Sequence, residues 1–211
     1  MLCKLTFAAF AMSWAYPRSW SPFAIRRRGL VAILGLLPAV IGPLPAAASE
    51  QVAWAALRDG AVVLFRHARA PGSGDPPGFR IDDCATQRNL DSEGRAQARR
   101  MGDRLRAEQV RVGLVLASEW CRALETAELA FPGQVRREPA FNSFFEDRTT
   151  ETWLTQRAKE LLAAWRGPGA LVVVTHQVNI GALTGLRPSD GEGIVVRVRG
   201  DEVEVVGRIQ P

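Results

Sequence analysis

The sequence predicts a three-layer α/β/α fold whose central sheet is mostly parallel and ends in an antiparallel hairpin at its C-terminal edge. Three observations lead there. Apolar, strand-like runs alternate with stretches of helical periodicity through the middle of the chain. The two strongest runs, Ala61–Phe65 and Ala170–Thr175, are apolar throughout, as in strands buried on both faces. Near the C-terminus, Gly193–Val198 and Glu202–Val206 instead alternate, and they flank a Gly200-Asp201 turn of the hairpin type.

The elements follow in order. Glu50–Arg58 is a short helical lead-in, and Asp59-Gly60 breaks it before the first strand. Ala70–Thr86 is a loop rich in Gly, Pro and Asp, and loops of that length inside compact domains tend to be functional. Asp91–Glu108 reads as a helix, apolar through Ala98, Met101 and Leu105 and polar through Arg95, Arg99, Asp103 and Arg106. Val112–Ala117 is the second strand. Ser118 is placed to cap a helix over Glu119–Ala130, because its hydroxyl can accept a free backbone N–H. Pro132-Gly133 ends that helix, Val135 starts a short strand, Thr150–Trp165 is a helix, and Val178–Leu183 begins another.

The chain has 211 residues, 47% of them hydrophobic, which suits one well-cored domain. Its formal charge of +5 resembles that of a nucleic-acid binder, but the excess is local. Residues 1–49 hold Lys4, Arg18, Arg26, Arg27 and Arg28 and no acid. Removing those five from the 27 basic residues leaves 22, equal to the 22 acids, so the domain itself has no field for nucleic acid.

The first 48 residues read as a leader with a secretory signal. Arg26-Arg27-Arg28 form the charged region, Leu30 to Gly42 the apolar one, and cleavage is expected after Ala48. The apolar stretch is short for a bilayer span, so the mature form is expected to have no stable membrane span and to be periplasmic or secreted. The expected domain is residues 50–211. An oxidising compartment permits a bridge between Cys84 and Cys121, which would tie the long loop to the segment carrying Arg122; two buried free thiols are the alternative. No metal-ligand spacing occurs, and no metal or cofactor is expected.

The chemistry is expected at the strand ends, because ligands of open α/β sheets bind beyond the carboxyl ends of the strands. The chain has only two histidines, and both stand there: His67 after the first strand and His176 after Ala170–Thr175. Arg66 beside His67 points to an anionic substrate, and neutral imidazole can attack phosphorus. Arg122 in the first turn of its helix adds a fork of donors at the positive end of the helix dipole. The residues thus suggest phosphoryl transfer through a phosphohistidine. Trp120, beside Arg122, is the one tryptophan placed to touch substrate, although core packing also suits it.

Three segments, in order, resemble the histidine phosphatase superfamily, with its phosphoglycerate-mutase-like fold: Arg66-His67-Ala68, Ser118-x-x-x-Arg122-x-x-x-Thr126-Ala127, and Thr175-His176. The resemblance covers about residues 60–185. It implies His67 as the phosphorylated nucleophile, with Arg66, Arg122 and His176 binding the phosphoryl group. Arg69 is close enough in sequence to join them, or to be an exposed loop arginine. Ala68 stands where the family motif has glycine, which raises the question of local backbone geometry. Glu146 is the expected general acid, with Asp147 in reserve and Asp75, Asp82 and Asp83 as further alternatives.

The expectation is therefore an exported, cofactor-independent phosphomonoesterase of the histidine acid phosphatase type. Its substrate would be a small phosphorylated compound or an envelope phosphate. The competing expectations are a non-catalytic phosphate-ligand binding protein on the same fold and a phosphohistidine-protein phosphatase.

Overall fold

Two parallel strands set the frame. In a computed structural model that describes residues 46–210, β1 (Val62–Arg66) and β4 (Ala170–Thr175) lie side by side at the middle of a six-stranded sheet. β2 (Val112–Ala117) and β3 (Val135–Arg137) extend the sheet beyond β4 in parallel. β5 (Gly193–Arg199) pairs antiparallel with β1, and β6 (Glu202–Ile209) pairs antiparallel with β5 at the edge. The expected fold class is the one observed. The predicted leader, apart from its last residues, lies outside the described residues.

Every residue of β4 is buried, as its unbroken apolar run requires. One face of the sheet presents Val63, Phe65, Val115, Val172 and Val174 to a core shared with α1 (Ala46–Arg58), α2 (Ser92–Ala107) and α3 (Cys121–Ala130). The opposite face presents Val62, Leu64, Leu116, Leu171 and Val173 to α4 (Glu151–Ala164) and α5 (Gln177–Thr184). Among the described residues, no helix is long and apolar enough to cross a membrane.

Most boundaries fall within a residue of the sequence reading, and three differ by more. α1 begins at Ala46 rather than Glu50. α3 begins at Cys121, with Trp120 at the cap position; Ser118 stands two residues earlier, where its hydroxyl accepts the Trp120 N–H at 3.2 Å as well as meeting His176 and Asn142. β6 runs on to Ile209, past Val206, because a bulge opposite Val195/Val196 inserts a residue and breaks the two-residue period.

Cys84 and Cys121 are disulfide-bonded, so the long loop is tied to the first residue of α3. Gln87 adds a second tie. Its amide donates to the Arg80 and Ile81 carbonyls, and its oxygen accepts the Cys121 N–H at 3.0 Å.

α2 and α3 approach closely at Gly102, where an added Cβ would stand 2.1 Å from the Ala130 carbonyl oxygen. That oxygen belongs to the backbone and cannot swing aside. Gly102→Val is therefore expected to destabilise the protein by about 2 kcal/mol, although it removes a helix glycine. Urea denaturation measures this; an unchanged midpoint would mean that the two helices can separate at no cost.

Candidate active site

The pairing register brings the two histidines to one level. Arg66 stands opposite Thr175, so the next residue on each strand is a histidine or leads to one. The His67 N–H donates to the Thr175 carbonyl at 2.9 Å, and the two rings meet edge to face with centroids 5.4 Å apart. Both side chains are buried.

His67 Nδ1 lies 2.8 Å from the Ala68 carbonyl oxygen. A carbonyl only accepts, so Nδ1 carries the hydrogen and Nε2 holds the lone pair. Burial pushes the His67 pKa well below the ordinary value, and the charges of Arg122, Arg66 and Arg88 push in the same direction; the Ala68 carbonyl opposes them. The ring is thus neutral at neutral pH, which is the nucleophilic form. Ala68 raises no backbone problem, since Gln109 is the only non-glycine with positive φ among the described residues. Its N–H donates to Thr126 Oγ1 at 3.0 Å, and that hydroxyl donates to the Arg122 carbonyl at 2.7 Å. Thr126 therefore couples the nucleophile's segment to α3.

His176 ends β4 and caps α5. Its Nε2 is 2.9 Å from Ser118 Oγ, and Ser118 in turn donates to Asn142 Oδ1 at 3.2 Å. Burial, then Arg122, lowers the His176 pKa well below the ordinary value, with His67, Arg88 and Arg66 contributing.

Three arginines complete the site. Arg66 pairs with Asp190 at 2.8 Å and donates to the Pro188 carbonyl at 3.1 Å. Arg122 is almost fully buried, and its Nη1 donates to both oxygens of Asp75, at 2.9 and 3.0 Å. Burial pulls the Arg122 guanidinium down to about 10 against the opposing charge of Asp75, so it stays cationic at neutral pH. The Nε atoms of Arg66 and Arg122 are both buried without a hydrogen-bond partner among the described residues. Arg88 donates to the carbonyls of Gly74 (2.8 Å) and Ala70.

These five side chains face a cavity of about 140 Å³, bounded also by the Gly72–Gly74 turn, by Ser143 and Phe145, and by the first turn of α5. The volume suits a phosphoryl group and is well below the roughly 300 Å³ at which pockets for whole organic ligands begin.

Four of the six side chains expected from the sequence therefore converge: His67, His176, Arg66 and Arg122. Two do not. Arg69 is exposed and turned away, held by Asp91 at 3.3 Å and by Glu93, the acids at the start of α2. Glu146 is exposed outside the cavity, where its carboxylate accepts the Asp75 N–H at 3.4 Å. Asp147 is also exposed and is occupied by Thr149. Asp75 is buried but saturated: besides Arg122 it accepts from Trp120 Nε1 at 3.1 Å and from the Arg88 N–H at 3.0 Å. Trp120 thus braces Asp75. Asp83 caps the short turn at Cys84–Thr86, and Asp82 lies exposed on the same loop. Among the described residues, no carboxylate lines the cavity.

Arg88 was not foreseen. It is 21 positions from His67, just before α2, and only the folding back of the long loop brings it over the strand ends.

The family model of the histidine phosphatase superfamily (branch 1) matches residues 62–173, and the chain belongs to that superfamily. No curated protein sequence matches it. A mycobacterial glucosyl-3-phosphoglycerate phosphatase in complex with VO3 is similar in fold, with a TM-score of 0.52 at 16% identity, over 69% of this chain and 96% of that one. The protein histidine phosphatase SixA complexed with tungstate aligns over 71% of this chain and 96% of its own, at 18% identity and a TM-score of 0.49. A putative alpha-ribazole-5'-P phosphatase from Escherichia coli aligns over 69% and 94%, at 17% identity and a TM-score of 0.49.

With only two histidines, ring signals in a pH titration by NMR are readily assigned. Both are expected to stay largely neutral at about pH 6.5, where an unperturbed imidazole is half protonated. A midpoint at or above that value for His67 would contradict the site's electrostatics. The sign for stability follows. Unfolded histidines take up protons that the folded rings refuse, so stability falls as pH drops below about 6.5 toward the folded pKa values.

Proposed function

We propose that the chain is an exported phosphatase that hydrolyses a phosphate monoester through a phosphohistidine on His67. The observation that carries this reading is one buried, neutral imidazole. Its Nδ1 is fixed by a carbonyl, and its ring faces a phosphoryl-sized cavity that holds three guanidinium groups.

The residues divide the work. The phosphoryl oxygens supply acceptors for the idle Nε–H groups of Arg66 and Arg122, which are costly to leave buried and unsatisfied. Arg88 closes the cavity from the loop side. Nε2 of His67 attacks phosphorus as the ester P–O bond breaks and its electron pair leaves on the alcohol or phenol oxygen, which takes its proton from solvent; the Nδ1–H stays on the Ala68 carbonyl, so the phosphorylated ring keeps its orientation. His176, steadied by Ser118, stabilises charge on the phosphoryl oxygens as they pass through the transition state. Water then attacks phosphorus, and the P–N electron pair returns to Nε2. The scheme uses no metal, and the described residues hold no cluster of three or more His, Cys, Asp or Glu suited to one.

Export is part of the proposal. It rests on the charged and apolar segments before Ala48, and the bonded pair Cys84–Cys121 supports an oxidising compartment.

Purified protein is expected to release para-nitrophenol from para-nitrophenyl phosphate without added metal. His67→Ala should lose activity by about 10³-fold or more, because an absent nucleophile leaves only binding and electrostatics. Arg88→Gln should lower kcat/KM by about 10²-fold, the scale of one lost charge-stabilising donor. A well-folded wild type that binds phosphate but turns nothing over between roughly pH 4 and 8 would favour the binding-protein reading. Glu146→Gln is expected to change the rate on an alkyl phosphate, whose leaving oxygen needs a proton, by less than about threefold; a loss of about 10²-fold would restore Glu146 as the acid.

A further inference from the structure

Two features of the cavity bear on what leaves it. No carboxylate lines it among the described residues; Glu146 sits at the rim, where it accepts the Asp75 N–H. It is also smaller than pockets that enclose whole organic ligands, so the larger part of an organic substrate lies outside.

The space next to it is defined. A second cavity, of about 330 Å³, lies over α5 and shares Phe145, Gln177 and Val178 with the first. Near Phe145 the phosphoryl cavity is narrowed where Glu146 meets the Gly74-Asp75 backbone. Phe145 presents an aromatic ring, 49% exposed, at the junction. Arg148 is paired with Glu151 at 2.9 Å, and this offsets the only carboxylate there. Arg187 lines the same space, is exposed, and has no hydrogen bond or ion pair among the described residues. The chain holds Arg187 near the junction, since the carbonyl of the next residue, Pro188, accepts from both Arg66 and Gln177.

We propose that this second cavity is the leaving-group subsite, and that the substrate it takes is an organic diphosphate whose leaving group departs as an anion beside Arg187. The inference rests on the phosphohistidine reading of His67 and moves the physiological substrate of that site from a simple monoester to the terminal phosphate of a diphosphate, whose bridging bond is an anhydride. Nε2 of His67 bonds to the terminal phosphorus, and the bridging P–O bond breaks. Its electron pair stays on the bridging oxygen, which becomes a terminal oxygen of the departing monophosphate. That group needs no proton to leave, because its new charge is delocalised over phosphate oxygens and met by the Arg187 cation. Water then cleaves the P–N bond, giving inorganic phosphate and returning the electron pair to Nε2; the surplus proton goes to solvent. A ring on the leaving group stacks against Phe145. An alkyl monophosphate has a poor leaving group and nothing in the cavity to protonate it, so it reacts slowly.

The test compares kcat/KM for phosphate release from ADP, AMP and acetyl phosphate, without added metal, in wild type, Arg187→Gln and Gly181→Leu. Acetyl phosphate also has a good leaving group, but it carries no second phosphate for Arg187 to meet and serves as the internal reference. At Gly181 on α5, an added Cβ meets nothing nearer than the Leu186 carbonyl oxygen at 3.7 Å. A leucine there fills the subsite while improving helix propensity, so the variant is expected to fold. Wild type should prefer ADP over AMP by about 10²-fold or more, and each variant should lower the ADP-to-acetyl-phosphate ratio by about tenfold. ADP and AMP rates within about threefold, or a ratio unchanged in both variants, would overturn the subsite while leaving the phosphatase reading in place. If acetyl phosphate is neither hydrolysed nor leaves a phosphoenzyme, the phosphatase reading itself falls, and this inference falls with it.

Discussion

The parallel register of β1 against β4 is the constraint on which the rest of the site depends. Because Arg66 pairs with Thr175, the backbone leaves both strands at one level, and the two imidazoles come within ring contact. A slip of one residue would reverse the facing of every β1 side chain and set His67 apart from His176. The slip is resisted by the core itself. Val63 and Phe65 pack toward one layer of helices and Val62 and Leu64 toward the other, so a shifted register would exchange side chains of different size between two close-packed layers. Sheet packing and catalytic geometry are fixed by the same contacts.

The second organising fact is electrostatic. Arg66, Arg88 and Arg122 converge on two buried histidines, and the two carboxylates nearby, Asp190 and Asp75, offset two of the three charges. The cavity therefore retains one cation in excess and two idle buried N–H groups. Such a site is costly when empty and satisfied by a phosphoryl oxyanion. Burial first, and then this crowding of positive charge, keeps both imidazoles neutral, so the groups that bind the substrate also help to hold the nucleophile in its reactive form. Asp75 links these roles. It holds Arg122, Trp120 and the Arg88 backbone together, and it reaches them from a loop anchored by the Cys84–Cys121 bond.

Much of this was legible in the sequence because it rests on short-range rules. Strand ends follow from apolar runs, and His67, Arg66 and His176 are adjacent to those ends. Arg122 follows from the start of a helix. The three family segments lie on these same elements. What was not legible depends on where the long loop goes. Arg88 and Asp75 carry no local signal, since their roles arise only when residues 70–90 fold over the sheet. Arg69 misled for the opposite reason: nearness in sequence to His67 counted for less than the acids Asp91 and Glu93, which draw its side chain toward α2. Glu146 was placed by its position after β3, but the residues around it aim Phe145, not the carboxylate, at the cavity. The Ser118 hydroxyl accepts the Trp120 N–H just before α3, as its chemistry suggested, but its contact with a buried histidine nitrogen 2.9 Å away has no local signal.

The most direct test of the account is the identity of the phosphorylated atom. After rapid acid quench of turnover, alkaline denaturation and phosphorus NMR distinguish a phosphoryl group on Nε2 from one on Nδ1. The hydrogen bond from Nδ1 to the Ala68 carbonyl predicts a single species, phosphorylated on Nε2 of His67. Phosphorylation on Nδ1, on His176, or on no histidine during demonstrable turnover would contradict it.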